Sequence, residues 1–291
     1  MKILNKKFIK SILPKRPDQS NKGTFGKLLC VCGSTNMMGA AILAVRAAYA
    51  AGAGYVTAAI PEKEKNIIFK TIPEAVLLPL KTKKENTQLK TNLNKVCYSA
   101  ILAGCGLDTQ ADKLMPGLIK NLNTAIVLDG DALNWLAKQK KEINFKFPAI
   151  LTPHPLEAAR LLHISETKIS HDKKVRVAQA KQISAKYNCV CVLKGKDTVI
   201  ACKDKIFINP AATSALAKAG TGDVLAGIIA GLLTQNIKAG ADDGARSALN
   251  AACAGVYLHS ECAKLAGKEF SNYSVMASDL HKYIGKAIKN L

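Results

Sequence analysis

The sequence predicts an α/β fold: a mostly parallel sheet with helices on both faces and an antiparallel hairpin at one edge. Two patterns carry this reading. Short apolar runs alternate with helical patterns along the chain, which is the signature of parallel strands buried by their crossover helices. Two later runs are joined by the polar turn Lys203-Asp-Lys205, too short for anything but a hairpin. Composition agrees. Of 291 residues, 48% are hydrophobic and 22% charged, which excludes disorder for most of the chain. A core of this size needs no disulfide or metal staple. Residues 1–291 read as one domain, with 1–20 a short lead-in helix and loop.

Taken in order, Lys27–Cys32 (KLLCVC) is a continuous apolar run and reads as a strand. Gly39–Ala51 (GAAILAVRAAYAA) is rich in alanine and reads as a helix, followed by a strand at Tyr55–Ile60. Lys81–Asn94 is a polar connection. Ser99–Ala103, Ala125–Leu128 and Ala149–Leu151 are further buried strands, and helices begin at Asp131–Ala137 and Pro155–Leu162. Asp172–Tyr187 is a helix with a polar face. Val190–Leu193, Thr198–Ala201 and Ile206–Ile208 are strands, the last two forming the hairpin. The C-terminal third is helical, and Ala245, Leu249, Ala252 and Val256 share one apolar face.

Several function classes fall away. The nine cysteines form no C-x-x-C pair, so they read as buried reduced thiols rather than a metal cluster. The basic start lacks an apolar core of the kind a secretory signal has, and Gly39–Ile60 is broken by Arg46 and built mainly of Ala and Gly. The reading is cytoplasmic, with no membrane partner. The formal charge of +21 comes from 42 Lys+Arg against 21 Asp+Glu. The lysines are scattered rather than interleaved with aromatics in a stripe, so nucleic acid is not expected as a partner. A non-catalytic nucleic-acid binder is the alternative from a different class, resting on charge alone.

Three segments carry chemistry. Gly220-Thr-Gly222 precedes Asp223 and an apolar helix. The glycines let a ligand approach the backbone, and Gly220, Thr221 and Gly222 form an anion hole with the free N–H groups of the helix start. Asp223 stands beside that hole, where a carboxylate either complements the helix dipole or serves as a base next to a transferring phosphoryl group. Thr152-Pro-His-Pro155 lies between a strand and a helix. Its prolines restrict the backbone around His154 at the sheet edge where open parallel sheets bind ligands; Glu157 reads as a helix cap. Lys194-Gly-Lys-Asp-Thr198 joins two strands and suits a nucleotide phosphate. Gly33-Ser34, Gly104-Cys-Gly106 and Asp129-Gly-Asp131 end other strands and face the same crevice.

In order and together, NKGTFGKLLCVCGSTNMMGAA (21–41), AGCGLD (103–108), VLDGDALN (127–134), LTPHPLEAARLL (151–162), VLKGKDTVIA (192–201), LAKAGTGDVLAG (216–227) and YLH (257–259) resemble the ADP- or ATP-dependent NAD(P)H-hydrate dehydratases. That family has a ribokinase-like three-layer fold. The resemblance implies a stand-alone lyase that uses ADP or ATP with Mg²⁺ to dehydrate the S form of hydrated NADH or NADPH, restoring NAD(P)H and releasing AMP or ADP and phosphate. It implies Asp223 as the catalytic base. It implies Ala40 or Ala41, Gly106, His154 and Asp223 as contacts to the hydrated cofactor, and Lys194, Gly195, Lys196, Asp197, Thr198 and Gly222 as nucleotide contacts. It leaves the metal ligands unknown and implies a homo-oligomer, a tetramer. The sequence departs from the family pattern at Asn21, where the family usually has His, at Cys105, where it often has Pro, and at Ala211-Ala-Thr-Ser214. A small-molecule kinase of the same superfamily, acting on a pyrimidine or thiazole alcohol, shares Gly220–Asp223 and is the alternative enzyme.

Overall fold

The computed structural model describes residues 1–141, 143–211, 213–239 and 243–291. The chain opens with strand β1 (Lys2–Ile3) and helix α1 (Lys6–Ile12), then runs β2 (Lys27–Val31), α2 (Met38–Ala50), β3 (Tyr55–Pro61), α3 (Lys65–Thr71), β4 (Val76–Leu80) and α4 (Glu85–Lys95). It continues as β5 (Ala100–Ala103), α5 (Gln110–Lys120), β6 (Ala125–Leu128), α6 (Asp131–Ala137), β7 (Ala149–Leu151), α7 (Pro155–Leu162) and α8 (Lys173–Tyr187). The hairpin strands β8 (Val190–Leu193), β9 (Thr198–Cys202) and β10 (Lys205–Asn209) precede α9 (Thr221–Lys238), α10 (Gly244–Phe270) and α11 (Ala277–Lys289).

The strands form one ten-stranded sheet in the order β1-β10-β9-β8-β7-β6-β5-β2-β3-β4. From β8 across to β4 every neighbour is parallel, while β9 is antiparallel to both β8 and β10. Strands β2, β5, β6, β7 and β8 are buried on both faces, because helices cover each side of a parallel sheet. Two apolar clusters result. One packs α2, α9, α10 and α11 on one face; the other packs α4 to α8 on the opposite face.

Alternation along a strand assigns each residue to one of these clusters. Leu28 and Cys30 enter the first, Leu29 and Val31 the second. The closest helix pair is α2 with α9. A Cβ on Gly227 or Gly231 would collide with the carbonyl oxygen of Ala44 or Ala48, so the two backbones touch where side chains would otherwise separate them.

Several expectations are corrected here. The lead-in includes β1, which pairs in parallel with β10 through Ile3 and Ile208, and Ile9 of α1 is fully buried. The polar segment 81–94 holds most of helix α4, anchored by buried Leu89 and Leu93 one turn apart. Strand β4 and helix α3 were not anticipated. The hairpin turn leads into β10, the second strand from the edge, rather than the edge itself. Ala245 is exposed at the start of α10, whereas Leu249, Ala252 and Val256 are buried as expected. Cys97 is exposed and Cys202 half-buried, while the other cysteines are buried free thiols.

Candidate active site

The parallel strands end at one edge, and there the predicted segments converge. Helix α9 starts at Gly220, whose φ of 87° and lack of Cβ let it lie against Leu43. No side chain among the described residues caps this helix start. The Thr221 hydroxyl donates backward to the carbonyls of Leu216 and Lys218, both at 2.9 Å, and so holds the approach turn rather than the helix's own donors. The first N–H groups are thereby left for an anion.

Asp223 sits in that first turn, half-buried. Burial, helped by the nearby Asp129 carboxylate, raises its pKa to about 6. It is therefore mostly ionised at neutral pH, with appreciable affinity for a proton, as a general base requires.

Asp129, at the end of β6, is buried. Its Oδ1 accepts from the Thr152 hydroxyl and from the Lys194 ammonium, each at 2.7 Å. Among the described residues, its Oδ2 has only the weak thiol donor Cys105, at 4.0 Å. Lys194 also lies 3.7 Å from Glu157 Oε2. Burial works against the Lys194 ammonium, but the two carboxylates outweigh it and raise its pKa. Burial, with Asp129, raises Glu157 to about 7, although Lys194 opposes the shift.

His154 is the N-cap of α7. Its Nδ1 accepts from the N–H groups of Leu156 (3.2 Å) and Glu157 (3.3 Å), and the Glu157 carboxylate accepts from the His154 N–H at 2.7 Å. These reciprocal bonds form a capping box. Burial and Lys194 lower the imidazole pKa, leaving a neutral ring with Nε2 3.4 Å from Glu157.

A cleft of about 710 Å³ collects His154, Lys194, Gly195, Lys196, Thr198, Thr221 and Gly222, with Asn209, Leu216, Leu225, Val256 and His259. Of the expected nucleotide residues, Asp197 does not line it; its carbonyl accepts from Arg176 behind the turn. Ala40, Ala41 and Gly106 form an adjoining wall. A Cβ at Gly106 would come within 2.7 Å of Ala40 Cβ, and one at Gly33 within 2.9 Å of Ala41 Cβ. Ala41 is fully buried and presents no side chain to a ligand, while Ala40 and Gly106 are half-buried.

Cys105, Asp129 and Asp223 join this wall to the cleft, their ligand atoms lying within 4.8 Å of one another. Two of those groups are hard oxygen donors suited to a divalent cation, and among the described residues neither Asp129 Oδ2 nor the Asp223 carboxylate accepts from a donor stronger than a thiol. Asn21 closes a tight turn by accepting from the Gly23 N–H at 2.8 Å. Of the segment 211–214, Ala212 lies outside the described residues.

Sequence reasoning left the Asp129–Lys194–Glu157 cluster unassembled, although it singled out the segments that carry all three. It also gave no role to His259, which is buried on the cleft floor and kept neutral by burial, with a pKa of about 4. Its Nε2 has no partner among the described residues.

Comparisons with known proteins give this geometry a context. The model of the family described as NAD(P)H-hydrate dehydratase matches residues 28–286. The chain is 34% identical over 284 residues to the ADP-dependent (S)-NAD(P)H-hydrate dehydratase of Bacillus subtilis, spanning 97% of this chain and 95% of that one. The crystal structure of the ADP/ATP-dependent NAD(P)H-hydrate dehydratase from B. subtilis, co-crystallised with ATP and Mg²⁺, matches with a TM-score of 0.82 at 30% identity. It covers 99% of this chain and 98% of its own. A bifunctional NAD(P)H-hydrate repair enzyme of Moorella thermoacetica is 35% identical across the whole chain, which spans about half (54%) of that relative's length. A ribokinase-like superfamily protein of Enterococcus faecalis matches with a TM-score of 0.84, covering 100% of this chain and 96% of that one at 25% identity. The fold is therefore ribokinase-like. No helix among the described residues is long and apolar enough to cross a membrane.

Proposed function

This chain belongs to the NAD(P)H-hydrate dehydratase family, and we propose from that premise how its residues carry out the family's lyase reaction. The substrates are the S form of hydrated NADH or NADPH and a nucleoside phosphate, ADP in preference to ATP. The products are NADH or NADPH, phosphate, and AMP or ADP. Hydroxide leaves a carbon poorly and phosphate leaves well, so the terminal phosphoryl group of the nucleotide is first moved to the ring hydroxyl. The hydroxyl proton passes to Asp223. The phosphorylated carbon then loses phosphate with its bonding electron pair, the ring nitrogen supplying electrons. The departing phosphate takes a proton from the neighbouring carbon and the double bond returns.

The observation that carries this reading is the juxtaposition at α9: a partly protonatable Asp223, at about 6, beside a helix start that no side chain among the described residues caps. Phosphoryl transfer needs positioning and charge stabilisation more than covalent help from the protein. Lys194 and the Gly195–Thr198 turn would take the nucleotide phosphates, with Gly222 closing the other side. His154 and the wall of Ala40 and Gly106, backed by the buried Ala41, would hold the hydrated ring.

Mg²⁺, for which Asp129 Oδ2 would be one oxygen donor, would supply charge neutralisation of the phosphates when bound. Occupation of Lys194 by a phosphate would draw it from Asp129, which frees that carboxylate for the cation. The net charge of +21 favours encounter with these polyanionic substrates.

The test is a dehydration assay with hydrated NADH and NADPH, each with ADP, ATP or no nucleotide. Nucleotide-dependent return of the reduced-nicotinamide absorbance is the expected result. No return with any nucleotide, together with phosphorylation of a small alcohol, would assign the chain to the kinase alternative.

A further inference from the structure

Helix α8 contributes one side chain, Arg176, to the back of the Lys194–Thr198 turn. Arg176 is only 5% exposed. Its Nη2 donates to the carbonyls of Leu193 (3.2 Å), Lys194 (3.1 Å) and Asp197 (3.3 Å). One buried guanidinium therefore ties together both ends of the turn that joins β8 to β9. Gly195 lies directly on it: a Cβ there would come within 2.7 Å of Arg176 Nη2 and 3.0 Å of Cζ. The φ of 153° at Gly195 is one that residues with a Cβ rarely adopt. The tight fit and the backbone conformation require each other.

The charge is met in an unusual way. Buried cations are normally paired with carboxylates, yet the described residues offer Arg176 no ion pair, and Asp197 acts on it only from a distance. Burial lowers its pKa, but an arginine keeps its proton in a protein. A positive charge is thus held behind a turn whose front face lines the cleft through Lys194, Gly195, Lys196 and Thr198. An apolar side chain of similar volume would take this donor from the three carbonyls, so the guanidinium both satisfies the turn and charges it. A charge bonded only to carbonyls polarises those peptide units and points the turn's potential toward an anion.

We propose that Arg176 is a positioning residue for nucleotide recognition: it fixes the Lys194–Thr198 turn from behind and makes it electropositive, so that the turn meets the phosphates of the nucleoside diphosphate without rearranging. This rests on the nucleotide-binding role of the turn proposed above. Preorganisation of this kind saves the ordering cost of a loop on binding. The geometry also explains a choice that composition conceals, for Arg176 is an arginine in a helix that otherwise uses lysine for its basic residues. A guanidinium is more weakly hydrated than an ammonium and suits a buried charge better, so Nη2 stays against the three carbonyls at a lower desolvation cost than a lysine would.

The experiment measures ADP and AMP binding by calorimetry, and steady-state kinetics against ADP and against hydrated NADH, for the whole protein and for Arg176→Lys and Arg176→Met. Both variants should raise the ADP Kd and KM at least tenfold, Met more than Lys. The KM for hydrated NADH and the kcat at saturating ADP should stay within about twofold. Melting temperatures of the ligand-free proteins provide a separate readout. If the variants melt earlier but bind ADP as tightly as the parent, Arg176 is structural and the proposal fails. Equal loss for both substrates would also overturn it. Failure of the parent protein itself to bind ADP or AMP would instead overturn the nucleotide reading of the turn.

Discussion

Helices α7 and α9 both begin where strands of the sheet end, yet their first turns are finished in opposite ways. At α7, His154 Nδ1 accepts two backbone N–H groups and Glu157 returns the bond to the cap residue. At α9 the N-cap is Gly220, no described side chain caps the helix, and Thr221 turns its hydroxyl away to Leu216 and Lys218. The first start satisfies its own donors; the second reserves them. A helix start completed by protein is a support, and one left open beside an acid is a place for an anion. The contrast assigns different work to two sites that look alike in sequence.

The sharpest way to break this contrast is at Asp223. Asp223→Asn should fold and lose about 10²- to 10⁴-fold in kcat, the usual range for a general base. Turnover of the parent should fall as pH drops through about 6, where Asp223 takes up a proton, and a pH–rate profile reads this directly. Stability should move the other way. A carboxyl whose folded pKa is raised contributes stability below its unfolded pKa of 3.8 and loses it as pH rises through about 6. Asp223→Asn should therefore melt higher than the parent at pH 8 and equally at pH 3. An unchanged kcat would remove Asp223 from the mechanism.

Next in size is Gly220→Ala. The φ of 87° and a Cβ position 2.6 Å from Leu43 Cδ1 impose strain of about 1–3 kcal/mol. Nucleotide affinity should fall with it, because the donors the turn presents would shift. An ADP Kd unchanged in calorimetry would show that the open helix start is not where the anion binds.

At the completed helix, His154→Ala removes a cap, which costs about 0.5–2 kcal/mol. If the ring also touches the hydrated cofactor, KM for that substrate should rise more than KM for ADP. A lower melting temperature with both KM values unchanged would leave His154 as a cap alone. At Glu157→Gln the expected effect is on stability rather than turnover. The Glu157 pKa is raised from 4.5 to about 7, so its contribution is full below 4.5 and disappears as pH rises through about 7. The melting temperature of the parent should therefore decline relative to Glu157→Gln between pH 5 and 8. Parallel melting curves for the two proteins would place the Glu157 proton elsewhere.

What the sequence discloses follows from how local each signal is. Strands β2, β5, β6 and β8 are unbroken apolar runs, so their existence and nearly their bounds can be read directly. Helix α4 is hidden because only Leu89 and Leu93 are buried in an otherwise polar segment, and β4 because a proline interrupts an already short run at the sheet edge. Asp223 and His154 are legible through glycines and prolines beside them. The ion pair of Lys194 with Asp129 joins residues 65 apart in the chain, and nothing next to either residue announces the other. Glu157 looks like a cap and is one, so its second contact, to Lys194, is invisible until the strands are aligned. Arg176 shares a segment with Lys173, Lys174 and Lys181, and only packing separates the buried guanidinium from the solvated amines.

The glycine contacts between α2 and α9 bear on how the cleft can move. Residues Ala40 and Ala41 lie near the start of α2, and the Gly220–Asp223 segment starts α9. Because the two helix backbones touch at Gly227 and Gly231, these starts belong to one stiff beam with little room for its halves to shift against each other. Any breathing that admits a dinucleotide and lets phosphate out is cheapest in the segment Leu216–Lys218 before α9, which is held by hydrogen bonds from the Thr221 hydroxyl rather than by interlocked backbone. The molecule thus resembles a vice with one fixed jaw, and the fixed jaw is the one that carries the acid.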